Sequence, residues 1–224
     1  MCGRFQLSVK GKEISERFNV EVFNEMYSPS FNCAPSQKLP VITNRNPEIL
    51  SFFKWGLIPS WAKKSSGFNL INTRSETILQ KPVFRNAFRQ QRCLIPANGF
   101  FEWRKSDKIP FRIFLKNESL FAMAGIWDVW YDINNQPVNT FSIITTESNH
   151  KMRSIHHRMP VILAKNKEEI WLYSQDTEKL TKLLIPIDDS QIEMYPVSKK
   201  VNSVKNNGEE IIYPINIGEQ GSLF

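Results

Sequence analysis

Cysteine and histidine are scarce in this sequence. Its 224 residues include only Cys2, Cys33 and Cys93, and only His150, His156 and His157. Three cysteines without paired spacing argue against a disulfide framework and against a zinc site. A metal centre would have to add carboxylates to so few histidines, and no recognisable ligand spacing exists, so neither metal nor cofactor is expected. No apolar run is long enough to cross a bilayer, and nothing resembles a signal or transit peptide. A cytoplasmic protein without a membrane partner is therefore expected, nucleoid-associated if the source is bacterial. Internal repeats, low-complexity stretches and Pro- or Gly/Ser-rich linkers are also missing, which leaves one domain over 1–216 and a fraying tail over 217–224.

What is present is apolar, aromatic and basic. Apolar residues make up 41% of the chain, enough for a substantial core, and sixteen Phe and six Trp are among them. A net charge of +7 and a pI near 9.3 favour a polyanionic partner, although many basic proteins bind nothing acidic.

Patterning predicts a short helix over Lys12–Phe18 and a turn-rich loop over Ser28–Pro35, then strands at Val41–Thr43 and Ile49–Trp55. The clearest helical signal covers 75–92, where Pro82 suits a first helical position. Phe84 and Phe88 share one face there, and Arg85, Arg89 and Arg92 line another. Further strands are predicted at Gly99–Arg104, Phe111–Leu115, Leu120–Trp127, Asn139–Thr146, Met159–Leu163 and Glu193–Val197. Asp176 can cap a helix over Thr177–Leu184.

The opening run Met1-Cys2-Gly3-Arg4-Phe5 carries the most distinctive chemistry. Loss of Met1 leaves an amine and a thiol on one residue, and such an aminothiol condenses with an aldehyde to a five-membered thiazolidine. With ordinary values near ~7.7 for the amine and ~8.5 for the thiol, about a sixth of the amine is neutral at pH 7. Glu102 sits between aromatic residues on a predicted strand whose side chains alternate, so a partly desolvated carboxyl with a raised pKa is expected; a surface carboxylate on an edge strand is the alternative. Arg153, His157 and Arg158 make the surroundings of His156 cationic, which favours its neutral ring. Asn72 offers an amide donor and acceptor, or a cap for the helix that follows.

Four further motifs accompany the N-terminus: Trp55-Gly56-Leu57-Ile58-Pro59-Ser60-Trp61, Asn72-Thr73-Arg74-Ser75-Glu76-Thr77, Gly99-Phe100-Phe101-Glu102-Trp103 and Ser154-Ile155-His156-His157-Arg158-Met159-Pro160. Together they resemble the SRAP (SOS response-associated peptidase) family, whose members crosslink to abasic sites in single-stranded DNA. The resemblance runs from Cys2 through Val201-Asn202 and Asn206-Asn207-Gly208. It implies a single α+β domain with a bent, largely antiparallel β-sheet surrounded by short helices. It implies that Cys2 is the nucleophile once Met1 is removed, that Glu102 orients the amine and shuttles its protons, and that His156 exchanges a proton with the sugar ring oxygen. Asn72 is implied to position the opened sugar and the imine nitrogen. The family carries Asp after the catalytic His, whereas this chain has His157; loss of that negative neighbour lowers the pKa of His156 if the two side chains meet.

The same resemblance makes Arg4 and Arg74 the foremost candidates for phosphate contacts and adds Arg153 and Arg158 to the DNA-binding surface. Trp55, Trp61 and Pro35 are candidate stacking and wedge surfaces, and Lys63, Lys64, Arg85, Arg89 and Lys151 candidate lining for the backbone track. The expected partner is single-stranded DNA containing abasic sites, bound by a monomer, with replication-fork proteins as further candidates. The expected activity is crosslinking with lyase-like imine chemistry, and Met1-removing peptidase activity accompanies it as a candidate. Two alternatives stand beside this reading: an N-terminal-nucleophile cysteine peptidase and a noncovalent single-strand binder.

Overall fold

Strands of alternating or fully buried side chains dominate the computed structural model, which describes residues 2–64, 67–117 and 119–217. In chain order the strands are β1 (Phe5–Leu7), β2 (Ser30–Cys33), β3 (Lys38–Thr43), β4 (Ser51–Trp55), β5 (Asn72–Arg74), β6 (Arg92–Ala97) and β7 (Gly99–Trp103). They continue with β8 (Pro110–Leu115), β9 (Phe121–Tyr131), β10 (Pro137–Glu147), β11 (Arg158–Pro160), β12 (Ile162–Leu163) and β13 (Ile192–Pro196). The helices are α1 (Gly11–Phe18), α2 (Pro82–Gln90), α3 (His150–Arg153), α4 (Lys165–Tyr173) and α5 (Thr177–Thr181), all short. The class is α+β, and the pairing is antiparallel except where β10 runs parallel to β4 and β5.

The largely antiparallel strands that the family resemblance implied divide between two sheets. The smaller orders its strands β13-β8-β7-β1-β2; the larger follows β11-β10-β4-β3-β6-β9-β12, with β5 on β10. The long strands close the larger sheet on itself, because β9 pairs β6 through Phe121–Ile126 and then β10 through Gly125–Tyr131. β10 in turn places Phe141 opposite both Trp127 of β9 and Trp55 of β4, which completes a ring β10-β4-β3-β6-β9. Closure leaves few free edges.

Several expected elements shift for identifiable reasons. Ser30–Cys33, expected as loop, pairs with β1 as a strand. The 75–92 helix divides into a 3-10 turn at Ser75–Thr77 and α2, whose Pro82 stands at its start. Phe84 and Phe88 are buried on α2 while Arg85 and Arg89 stay exposed, but Arg92 has left the helix for β6 and is fully buried. Its guanidinium donates to the carbonyls of Phe88, Arg89, Trp171, Leu172 and Ser174, the unsatisfied C-terminal acceptors of α2 and α4. Helix α4 itself escapes periodicity because Ile170, Trp171 and Leu172 are consecutive; Trp171 packs 5.8 Å from Phe88. Asp176 caps α5 as expected, accepting from the N–H groups of Glu178 and Lys179.

Candidate active site

The N-terminal segment enters the smaller sheet between β2 and β7, with Phe5 opposite both Cys33 and Phe100. The carbonyl of Arg4 accepts from Phe101 N–H at 2.9 Å, which carries the pairing beyond β1 and lays Cys2 alongside the end of β7, where Glu102 sits. Cys2 is fully buried, and its Sγ lies 3.9 Å from the Arg4 carbonyl. From the larger sheet, Asn72 on β5 donates through Nδ2 to the Cys2 carbonyl at 2.8 Å. Its Oδ1 is buried without a partner. No side-chain cap forms at the following 3-10 turn, so Asn72 holds the N-terminal strand instead of starting a helix.

Glu102 is 3% exposed. Phe101 and Trp103 on either side join a separate apolar cluster with Val197, Val201 and Ile211, as strand alternation requires. Burial raises the carboxyl pKa of Glu102. Burial likewise pushes the Cys2 thiol up, and the negative charge of Glu102 adds to that shift, so the two groups lie within electrostatic reach. Both favour their neutral forms.

The His156 segment is tied to the same corner. Lys105 N–H, just past β7, donates to Ile155 O at 3.2 Å, and His156 N–H closes onto Met152 O. The Nδ1 of His156 accepts from Arg158 N–H at 3.0 Å, which leaves the neutral ring its proton on Nε2. The His157 ring stacks on it at 4.5 Å between centroids. Burial first, then nearby positive charge including His157 and Lys105, takes the His156 pKa down to about 4. The sequence left open whether the two side chains meet; they do, and the imidazole favours its neutral form.

The arginines divide by role. Arg74 and Arg153 are exposed and line a cleft of about 460 Å³ with Glu147, His157 and Arg158. Arg158, expected on the DNA-binding surface, is 5% exposed and committed within the fold, donating at 2.6 and 3.0 Å to Glu76 and at 2.7 Å to Thr145 O. Burial is the largest single influence on Glu76 and opposes its ionisation, but the hydrogen bonds from Arg158, its own backbone and Ser75, with the Arg158 charge, together outweigh it and hold the carboxyl below its ordinary value. Arg4 is half-buried, and its Nη1 donates to Asn32 Oδ1 and Val201 O, fastening the C-terminal segment beside the N-terminal strand. Lys151 of the expected track is engaged by Ile192 O at 2.6 Å, while Lys63 and Lys64 are exposed.

Trp55 corrects a second expectation. It has no exposed surface, donates to Ile71 O at 2.8 Å, and packs between Phe5 and Phe141 with ring centroids 5.3 and 6.2 Å away. It is core, not a stacking platform. Gly56 beside it adopts φ +129, where an L side chain is strained. Trp61 is 61% exposed and meets Phe68 edge-on; Pro35 is half-buried between β2 and β3. Lys105, Glu76 and the anchoring residues Asn32, Val201 and Asn206 were missed as parts of this corner. Only the presence of Glu76, Val201 and Asn206 within the family-like motifs signalled them.

A buried Cys2, clasped by Asn72 and within electrostatic reach of Glu102, on a barrel-like α+β fold agrees with the family comparison. The model for SOS response associated peptidase (SRAP) proteins matches residues 1–204, and the chain belongs to that family. It is 45% identical over 221 residues to the abasic site processing protein YoaM of Bacillus subtilis, covering 95% of this chain and 97% of that protein. It is 32% identical over 230 residues to the abasic site processing protein HMCES of Gallus gallus, covering 86% of this chain and 68% of that one. A crystal structure of a protein from Bacteroides thetaiotaomicron superposes with a TM-score of 0.89 at 30% identity, over 96% of this chain and all of that one.

Proposed function

We propose that this protein processes abasic sites in single-stranded DNA by forming a covalent crosslink through Cys2 after Met1 is removed. The observation that carries the reading is the Asn72 amide. It fixes the Cys2 backbone through Nδ2 while its buried Oδ1 remains open for a ligand donor. A residue held this way presents its amine and thiol to one carbon, where ring closure gains a high effective molarity. Family membership and the names of the relatives support the substrate.

The steps balance without a cofactor. The ring-opened abasic sugar offers an aldehyde carbon. The Cys2 amine adds to it, and one water leaves as the imine forms. Sγ then bonds to that carbon, and the thiol proton passes to the imine nitrogen. Glu102, biased toward its protonated form, is suited to exchange protons with the amine and thiol. His156 carries its proton on Nε2 and is suited to hydrogen-bond the sugar ring oxygen as it opens. Trp61 and the Arg74–Arg153 surface supply stacking and phosphate contacts.

Intact mass spectrometry tests this. Protein with a free Cys2 amine gains the mass of one abasic oligonucleotide less one water, and Cys2→Ala forms no stable adduct. No mass gain by protein lacking Met1 would overturn the reading; a labile adduct from Cys2→Ser would identify the amine as the first nucleophile.

A further inference from the structure

One side chain in the cationic cleft has the wrong sign for a phosphate track. Glu147 ends β10 directly opposite Arg158 of β11, is exposed, and lines the cleft with Arg74, Arg153 and His157. It is not the counter-ion of Arg158, whose Nη1 and Nη2 are given to Glu76 and Thr145. A carboxylate among these arginines weakens a phosphate contact by like-charge repulsion. The same carboxylate gains where a ligand presents two N–H donors side by side.

An unpaired guanine does this, because N1–H and the N2 amino group point the same way along its Watson–Crick edge. Adenine and cytosine set an amino group beside a ring acceptor that repels the second oxygen, and thymine flanks its single N–H with carbonyls. Single-stranded nucleic acid leaves such edges open for recognition. The cleft also stands next to the reacting position, since His157 lines it and stacks on His156 at 4.5 Å.

From this juxtaposition we infer that Glu147 reads guanine in the nucleotide adjoining the abasic site, while Arg74 and Arg153 hold the phosphate of that nucleotide. The inference rests on the crosslinking reading above and adds a sequence preference to it.

The test uses the full chain with Met1 removed and oligonucleotides carrying one abasic site, with each of the four bases placed in turn on either side. Adduct formation is expected to be faster with guanine than with thymine on one side by roughly fivefold or more, the low end of what a bidentate contact discriminates. Glu147→Gln is expected to reduce that preference below about twofold, since only one of two matched acceptors survives. Equal rates for all flanking bases in the wild type would overturn the inference, as would a preference that persists in Glu147→Gln. Uniform acceleration by Glu147→Gln would also overturn it, because it would reveal backbone repulsion alone. If no oligonucleotide forms an adduct, the crosslinking reading fails instead. The guanine preference is then read from anisotropy binding of the same oligonucleotides carrying a tetrahydrofuran abasic analogue, with its presence or absence deciding the matter.

Discussion

The proton affinity of His156 turns on its neighbour, and His157→Asp measures by how much. With a pKa of about 4 in the folded chain, roughly one His156 ring in a thousand is protonated at pH 7. His157 contributes to that depression, and the two rings stack at 4.5 Å. A carboxylate at that separation attracts an imidazolium by about 1–2 kcal/mol when the effective dielectric lies between that of water and half of it, as suits an exposed partner. The proton affinity then rises about 5- to 30-fold, and the protonated share at pH 7 climbs to between roughly 1 in 200 and 1 in 30. NMR titration of the ring resonances, assigned with His156→Ala, reads the change directly. A His156 that titrates in His157→Asp at or below its wild-type pH would refute the neighbour's role. The stability consequence has a definite sign. The folded pKa lies below the unfolded value near ~6.5, so the folded state binds fewer protons, and wild-type stability falls as pH drops from about 6.5 through 4. The Asp variant narrows that window.

Four other substitutions separate structural from functional side chains. Arg92→Met deprives five helix-terminal carbonyls of their donor; urea unfolding is expected to lose about 3–5 kcal/mol, and a loss below about 1 would refute the double-cap role. Trp55→Ala is expected to cost about 3–5 kcal/mol as a core deletion, whereas Trp61→Ala stays within about 0.5 kcal/mol of wild type and weakens single-strand binding by about 1–3 kcal/mol. Equal stability losses in the two would contradict their assigned places. Asn72→Ala, which removes both the clasp on Cys2 and the open acceptor, is expected to slow adduct formation by about 100-fold while melting cooperatively; an unchanged rate would reduce Asn72 to a structural clasp.

What the sequence disclosed about the site was the identity of its reacting groups, because an aminothiol, a carboxyl between aromatics and a histidine among arginines each have local signatures. It disclosed burial poorly. The Trp55 loop reads as exposed from its Gly and Pro residues, yet Trp55 ends β4 on the same buried face as Phe53. Arg158 reads as a free cation because its partner Glu76 lies 82 residues away. The closed sheet was hidden for the same reason, since parallel pairing of β4 and β5 with β10 joins segments that no short-range pattern links. Family motifs brought the right residues into view without revealing that Arg4, Asn32 and Val201 fasten the two ends of the chain beside Cys2.

The site lies on the seam between the sheets, and this governs its charge. Cys2 and Glu102 come from the small sheet, Asn72 and the His156 segment from strands and turns beside β10. Cys2 and Glu102 are buried and His156 is half-buried, so thiol, carboxyl and imidazole are each displaced toward the neutral form. In that state neither a thiolate nor an imidazolium stands ready without a trigger. In the proposed reaction two events supply one: loss of Met1 leaves a basic amine on Cys2 itself, and an arriving phosphodiester would bring negative charge beside His156 and raise its proton affinity. Under that reading, a nucleophile that burial keeps quiet becomes reactive where its substrate is present.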